Sequence, residues 1–175
     1  MLEARGVLRR ATVIDLYAGS GALGFEALSR GATTLVLVEK ARAAADAIGR
    51  NAQTLRQAAP IPDLLDIRVL ATGVREALAA GALPQADVVF LDPPYELTEE
   101  ALASDLAALV PFLAPDAVVL VERSARTPEP RWPDALTLDR RRDYGETTVW
   151  WADLDAADDD ESDDDESDDE TALGD

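Results

Sequence analysis

Short runs of β-branched residues alternate with longer alanine-rich stretches along most of this chain, and few architectures accept that alternation. The pattern predicts strands near residues 12–17, 34–39, 66–70, 87–91 and 117–122, and helices over 22–30, 41–58, 73–81 and 99–111. Strands separated by helices must cross over and return in parallel, so repeated βα units around one parallel sheet are expected. Gly31 and Gly81 stand where two of the helices should stop. The last segment changes character: Leu136-Thr137-Leu138 and Thr147-Thr148-Val149-Trp150-Trp151 flank Asp143-Tyr144-Gly145-Glu146, as an antiparallel hairpin closing the sheet edge would. The expectation is an α/β, Rossmann-like fold, its seven-stranded sheet mostly parallel with a C-terminal antiparallel hairpin.

At 175 residues and 47% hydrophobic, the chain suits one globular domain with a real core, plus a tail. Charge locates the boundary. Residues 153–175 hold 14 acids and no base, which leaves −5 of the net −19 on residues 1–152. The expected organisation is therefore a domain over 1–152 and an acidic, disordered tail over 153–175. Such a tail keeps a protein soluble, or competes with nucleic acid for basic surface or docks basic ribosomal proteins; in the second case its deletion raises RNA affinity. Cysteine and histidine are both absent, which excludes disulfides, thiolate or imidazole metal sites and histidine-based triads. No metal is expected, and with no long apolar run or leader-like start, no membrane; a cytoplasmic location follows as the default.

Two motifs carry chemistry, and both should fall at the carboxyl ends of strands, where open α/β sheets bind ligands. The first is Gly19-Ser20-Gly21-Ala22-Leu23-Gly24, whose glycines let backbone N–H groups approach a ligand at the start of a helix. Twenty residues beyond Gly19, Glu39 closes the second strand, where a carboxylate can accept both hydroxyls of a ribose. Alone, this pattern also fits a nicotinamide-dependent oxidoreductase. Asp15 argues otherwise, because an anion in the strand-end turn opposes a pyrophosphate but suits a sulfonium or an amino group.

The second motif is Asp92-Pro93-Pro94-Tyr95, after the apolar run Val88-Val89-Phe90-Leu91. Consecutive prolines stiffen the turn and donate no N–H, leaving carbonyls free to face a ligand. A nucleobase amine is a poor nucleophile because its lone pair is delocalised into the ring, so a site acting on it needs acceptors where its N–H groups point. Asp92 and the Pro93 carbonyl supply them, and Tyr95 offers a stacking face.

Together, Asp15-Leu16-Tyr17-Ala18-Gly19-Ser20-Gly21-Ala22-Leu23-Gly24, Glu26-Ala27-Leu28-Ser29-Arg30-Gly31-Ala32, Val38-Glu39 and Asp92-Pro93-Pro94-Tyr95 closely resemble the bacterial 16S ribosomal RNA guanine-N2 methyltransferase family. That family modifies the small-subunit guanine conventionally numbered 966. The resemblance covers residues 1–152 and implies a class I methyltransferase fold, S-adenosyl-L-methionine as donor, and 16S ribosomal RNA in small subunits or their assembly intermediates as substrate, with the protein a monomer. Carried over by position, it places Asp15, Tyr17, Gly19 and Gly21 on the cofactor loop, Glu39 on the ribose, and Asp92, Pro93 and Tyr95 on the target amine; Asn51 matches a further recurrent position.

The chain departs from the family in two places. At Leu70-Ala71-Thr72-Gly73, where many relatives place an acidic or polar group near adenine, this chain carries no acid. Relatives also carry an arginine-rich segment upstream of what is here Met1-Leu2-Glu3, so an internal methionine taken as the start is expected, with Arg5, Arg9 and Arg10 as its remnant. Arg140-Arg141-Arg142 suits either a phosphate contact or a charge-protected strand edge, and Trp132, Trp150 and Trp151 suit packing. Glu122 and Arg123 read as pairing with each other's neighbours. Two other functions share the motifs: an amine methyltransferase acting on DNA adenine or protein glutamine, and a non-catalytic fragment that binds RNA or protein.

Overall fold

In the computed structural model, which describes residues 6–58 and 64–155, seven strands form one sheet in the order β3-β2-β1-β4-β5-β7-β6. The strands are β1 (Thr12–Asp15), β2 (Thr34–Val38), β3 (Asp66–Leu70), β4 (Ala86–Leu91), β5 (Leu113–Ser124), β6 (Leu136–Tyr144) and β7 (Thr147–Leu154). The helices are α1 (Ala22–Ser29), α2 (Arg42–Ala58), α3 (Val74–Ala79) and α4 (Glu99–Leu109). β1 to β5 run parallel, and β7 inserts antiparallel between β5 and β6. The expected sheet and its closing hairpin are therefore present.

Alternation along the central strands divides the core in two. Ile14, Val36, Val89, Val119 and Trp150 face one side, where α3 and α4 cover them with Val74, Leu78, Leu102, Leu106 and Leu109. Val13, Leu35, Leu37, Val88, Phe90 and Trp151 face the other, against Ala27 of α1 and Ile48 and Ala52 of α2. The inner strands are thus buried on both faces, as a sheet with helices on both sides requires. Trp150 and Trp151 are buried, as their packing role demanded. Arg140 stacks over the Trp151 ring at 4.6 Å and Arg141 over Trp150 at 4.9 Å, so two of the three edge arginines are engaged within the hairpin.

Local chemistry explains the helix ends. The Thr98 hydroxyl accepts from the Ala101 N–H at 3.2 Å, and Glu99 and Glu100 place negative charge in the first turn of α4. After α1 the Gly31 N–H donates to the Leu28 carbonyl and the Ala32 N–H to Ala27, with Gly31 at φ +110; Gly81 ends α3 in the same way. Two boundaries differ most: β6 runs on to Tyr144, well past Leu138, and β5 starts at Leu113 rather than near residue 117. Its register against β4 shifts between Ala86 and Val88, and Asp116 takes φ +63, so the proline-containing Leu113–Ala117 stretch joins the sheet through a bulge. At the C-terminus, Asp153 and Leu154 belong to β7, inside the range expected as tail, and the rest of the acidic run, 156–175, lies outside the described residues, as does Met1-Leu2-Glu3. No helix among the described residues is long and apolar enough to cross a membrane.

Candidate functional site

β1 lies between β2 and β4, so the chain leaves the sheet in opposite directions from neighbouring strands, and a crevice opens at their carboxyl ends. The turn after β1 fills one side. Leu16 N–H still donates to the Phe90 carbonyl and Ala18 N–H to Val38, so the backbone is held to both neighbours before it turns into α1. Gly21 sits at φ +80, and a Cβ there would come within 2.8 Å of the Phe25 ring. A Cβ on Gly24 would come within 2.9 Å of Leu35. The second and third glycines of the motif therefore let α1 lie directly on β2 and aim its N-terminus at the crevice.

A cleft of about 310 Å³ opens there, with Tyr17, Gly19, Glu39, Lys40, Thr72 and Asp92 on its walls and Leu16, Val38, Gly73, Val74 and Pro94 completing it. Glu39 organises it: one carboxylate oxygen accepts from the Gly19 N–H at 2.8 Å and the other from the Ala41 N–H at 2.7 Å. The Tyr17 hydroxyl donates to Asp105 on α4 at 2.6 Å, and burial, reinforced by this bond, pushes the phenol above its usual range. Asp105 is itself buried, so the pair clamps the loop onto α4.

Asp15 lies beneath the loop rather than on the cleft wall, only 1% exposed. Burial pushes its carboxyl up to about 7; backbone N–H groups of Gly24 and Tyr17 pull it back, and the charges of Asp92 and Glu39 push it further. One of its oxygens is buried without a hydrogen-bond partner. Three carboxylates thus converge on the loop, an arrangement that favours a ligand carrying positive charge.

A second cavity, of about 280 Å³, lies on the other side of the Asp92 turn. Pro93, Tyr95, Glu122, Arg123, Ser124, Thr127 and Thr147 face it, and Asp92 and Pro94 border both cavities. Desolvation raises Asp92 above the usual carboxylate range. The Pro94 carbonyl accepts the Leu97 N–H at 2.9 Å, which closes the turn, and Tyr95 is 85% exposed. Arg123 anchors the far end of the loop: buried on β5, it donates to the Leu97 carbonyl at 3.0 Å and to Glu99 at 2.6 Å. Its partner is therefore 24 residues upstream rather than beside Glu122.

The structure gathers Tyr17, Gly19, Glu39, Asp92, Pro93 and Tyr95 around two adjoining cavities, with Asp15 and Gly21 as supports underneath. Asn51 is exposed on α2 and lines neither. Lys40 and Val74 were not singled out by sequence, and Thr72 supplies a hydroxyl where the sequence had shown no acid. Among the described residues no group of three His, Cys, Asp or Glu side chains could hold a metal ion.

A family described as conserved hypothetical protein 95 matches residues 1–153. The chain is 33% identical over 142 residues to ribosomal RNA small subunit methyltransferase D of Escherichia coli (strain K12), covering 80% of this chain and 67% of that protein. It is 31% identical to the Haemophilus influenzae protein of the same name, covering 69% of this chain and 61% of that one. The solved structure of Escherichia coli yhhF, provisionally assigned as a methyltransferase, superposes with a TM-score of 0.73 at 31% identity, over 86% of this chain and 81% of that chain.

Proposed function

Because this chain belongs to the conserved hypothetical protein 95 family, we propose that it transfers a methyl group from S-adenosylmethionine to the exocyclic N2 amine of a guanine in the 16S ribosomal RNA of small-subunit particles. The observation that carries the reading is the position of Asp92 on the border of both cavities. One cavity takes the donor, the other the base, and the Asp92 turn is where they meet.

The donor cleft fits S-adenosylmethionine by its chemistry. Glu39 keeps lone pairs for ribose hydroxyls beyond the two N–H groups it already accepts. Val38, Val74 and the Lys40 stem offer apolar surface to an adenine, with Thr72 as the polar group beside it. The buried, partnerless oxygen of Asp15 and the surrounding carboxylates favour the sulfonium and ammonium charges. When bound, the donor supplies an electrophilic methyl group on sulfur.

The protein's part is placement and charge. Asp92 accepts one N2–H of the guanine and the Pro93 carbonyl the other, which fixes the amine and draws electron density toward nitrogen. No strong base is required, since the amine becomes acidic only as its new bond to carbon forms and its proton then passes to Asp92 or to water. Tyr95, exposed at the mouth, covers one face of a base that has left its stack.

The test is transfer of labelled methyl from S-adenosylmethionine to unmodified small ribosomal subunits, followed by digestion to nucleosides. Label in N2-methylguanosine is expected. Label in another nucleoside or in a ribosomal protein would overturn the substrate, and no label would overturn the activity of this chain.

A further inference from the structure

Glu122 is a carboxylate in the second cavity that the reaction described above does not use. The β4–β5 register pairs Leu91 with Val121, so the next residues along, Asp92 and Glu122, end up as neighbours lining the same cavity. Arg123 lines the same cavity and donates through one guanidinium nitrogen to Glu99 and the Leu97 carbonyl. Burial raises Glu122 above the usual carboxylate range, and the charge of Asp92 raises it further. Two half-desolvated acceptors beside one another are best satisfied by a ligand that presents several donors in a row.

We propose that Glu122 is the specificity-determining residue for the target base, accepting the N1–H of guanine beside the amine that Asp92 and the Pro93 carbonyl hold. This rests on the methyl-transfer reading and names what selects its substrate. The Watson–Crick edge of guanine offers three hydrogens side by side, N1–H and the two on N2. Adenine and cytosine present a ring-nitrogen lone pair beside their amine, which would face the Glu122 carboxylate acceptor to acceptor. Selection would then come as much from rejection of the wrong base as from contacts with the right one. Arg123, Ser124, Thr127 and Thr147 complete the polar wall of the cavity.

The test compares the full chain with Glu122→Gln and Glu122→Ala, using small-subunit particles that carry either guanine or 2-aminopurine at the methylated position. 2-Aminopurine keeps the amine but has a bare acceptor at N1. The unaltered protein is expected to prefer guanine in kcat/KM by at least about tenfold, the scale of one hydrogen bond to a buried charge. Glu122→Gln should lose about that factor on guanine and hold or gain on 2-aminopurine, because its amide can donate to N1, with S-adenosylmethionine affinity unchanged. Equal losses on both substrates, or no loss on guanine, would overturn the assignment. An unaltered protein that labels no guanine overturns the methyl-transfer reading as well, so the two failures are told apart by which protein shows them.

Discussion

The two cavities that meet at Asp92 are built in different ways. Around the donor cleft, the loop is tied down from within: Glu39 holds Gly19 and Ala41, Tyr17 is bonded to buried Asp105, and Asp15 sits sealed underneath. Around the second cavity the frame is fixed, through Arg123, the Leu97–Pro94 turn and the Thr127 hydroxyl donating to the Ser124 carbonyl, while Asp92 and Tyr95 reach outward from it. A small donor must find its whole site on the protein. A base delivered by a folded RNA brings part of its own positioning with it, so the protein needs to provide only acceptors and a stacking face.

If that division holds, changes on the two sides should separate cleanly, with the largest effect where they meet. Asp92→Ala is expected to lower turnover by about a thousandfold, the range for a removed group that acts on developing charge, while S-adenosylmethionine affinity stays within a few fold. Single-turnover rates and calorimetric donor binding on the same sample check both halves. A variant that keeps its turnover would remove Asp92 from the amine, and one that loses donor binding would merge the two cavities into one functional unit.

Glu39→Ala should do the reverse. Its carboxylate holds the glycine turn and is the proposed ribose acceptor, so its loss should weaken donor binding by about a hundredfold, as expected when more than one hydrogen bond to a charged group is lost. Turnover at saturating donor should fall much less. Equal losses in kcat and in affinity would mean that the loop also aligns the base.

Which side could be read from sequence follows from the same difference. Glycines and their spacing to Glu39 report backbone geometry, and backbone geometry is local: the Cβ that Gly21 cannot carry is excluded by Phe25, in the first turn of the helix that follows. The proline pair marks the second turn for the same reason. The order of elements was legible because periodicity is local too. Contacts across the fold were not. Nothing near Tyr17 points to Asp105, 88 residues away, and nothing near Arg123 points to Glu99 rather than to its own neighbours. The start of β5 was misplaced because Pro115 reads as a break, whereas the sheet absorbs it as a bulge. Glu122 gains meaning only when the β4–β5 register sets it beside Asp92.

Tyr95→Ala tests whether the RNA shares the work of positioning. Loss of one stacked base is worth about 1–3 kcal/mol, so about a tenfold drop in kcat/KM for subunit particles is expected, with donor affinity unchanged. A change of only twofold would mean that the RNA holds the base without help from the protein. A loss of activity as large as that of Asp92→Ala would mean that the exposed ring is part of the catalytic geometry.

The smallest expected effect lies beneath the donor cleft. With its carboxyl pushed up to about 7, Asp15 is mostly neutral at pH 6 and mostly ionised at pH 8, so donor affinity should rise between them by a little under tenfold. Titration calorimetry below pH 7 should also detect protons released on binding. The stability of the ligand-free protein should move the other way. A buried acid raised from 3.8 to about 7 is ionised more readily in the unfolded chain, so stability falls as pH climbs between those values and stays reduced above 7. Asp15→Asn removes both effects at once: it should unfold at higher temperature than the unaltered protein at pH 8 and bind donor weakly, with no pH dependence between 6 and 8. A flat profile in the unaltered protein would mean that Asp15 keeps one charge state throughout, and the cation-binding role of the carboxylates would then rest on Glu39 and Asp92 alone.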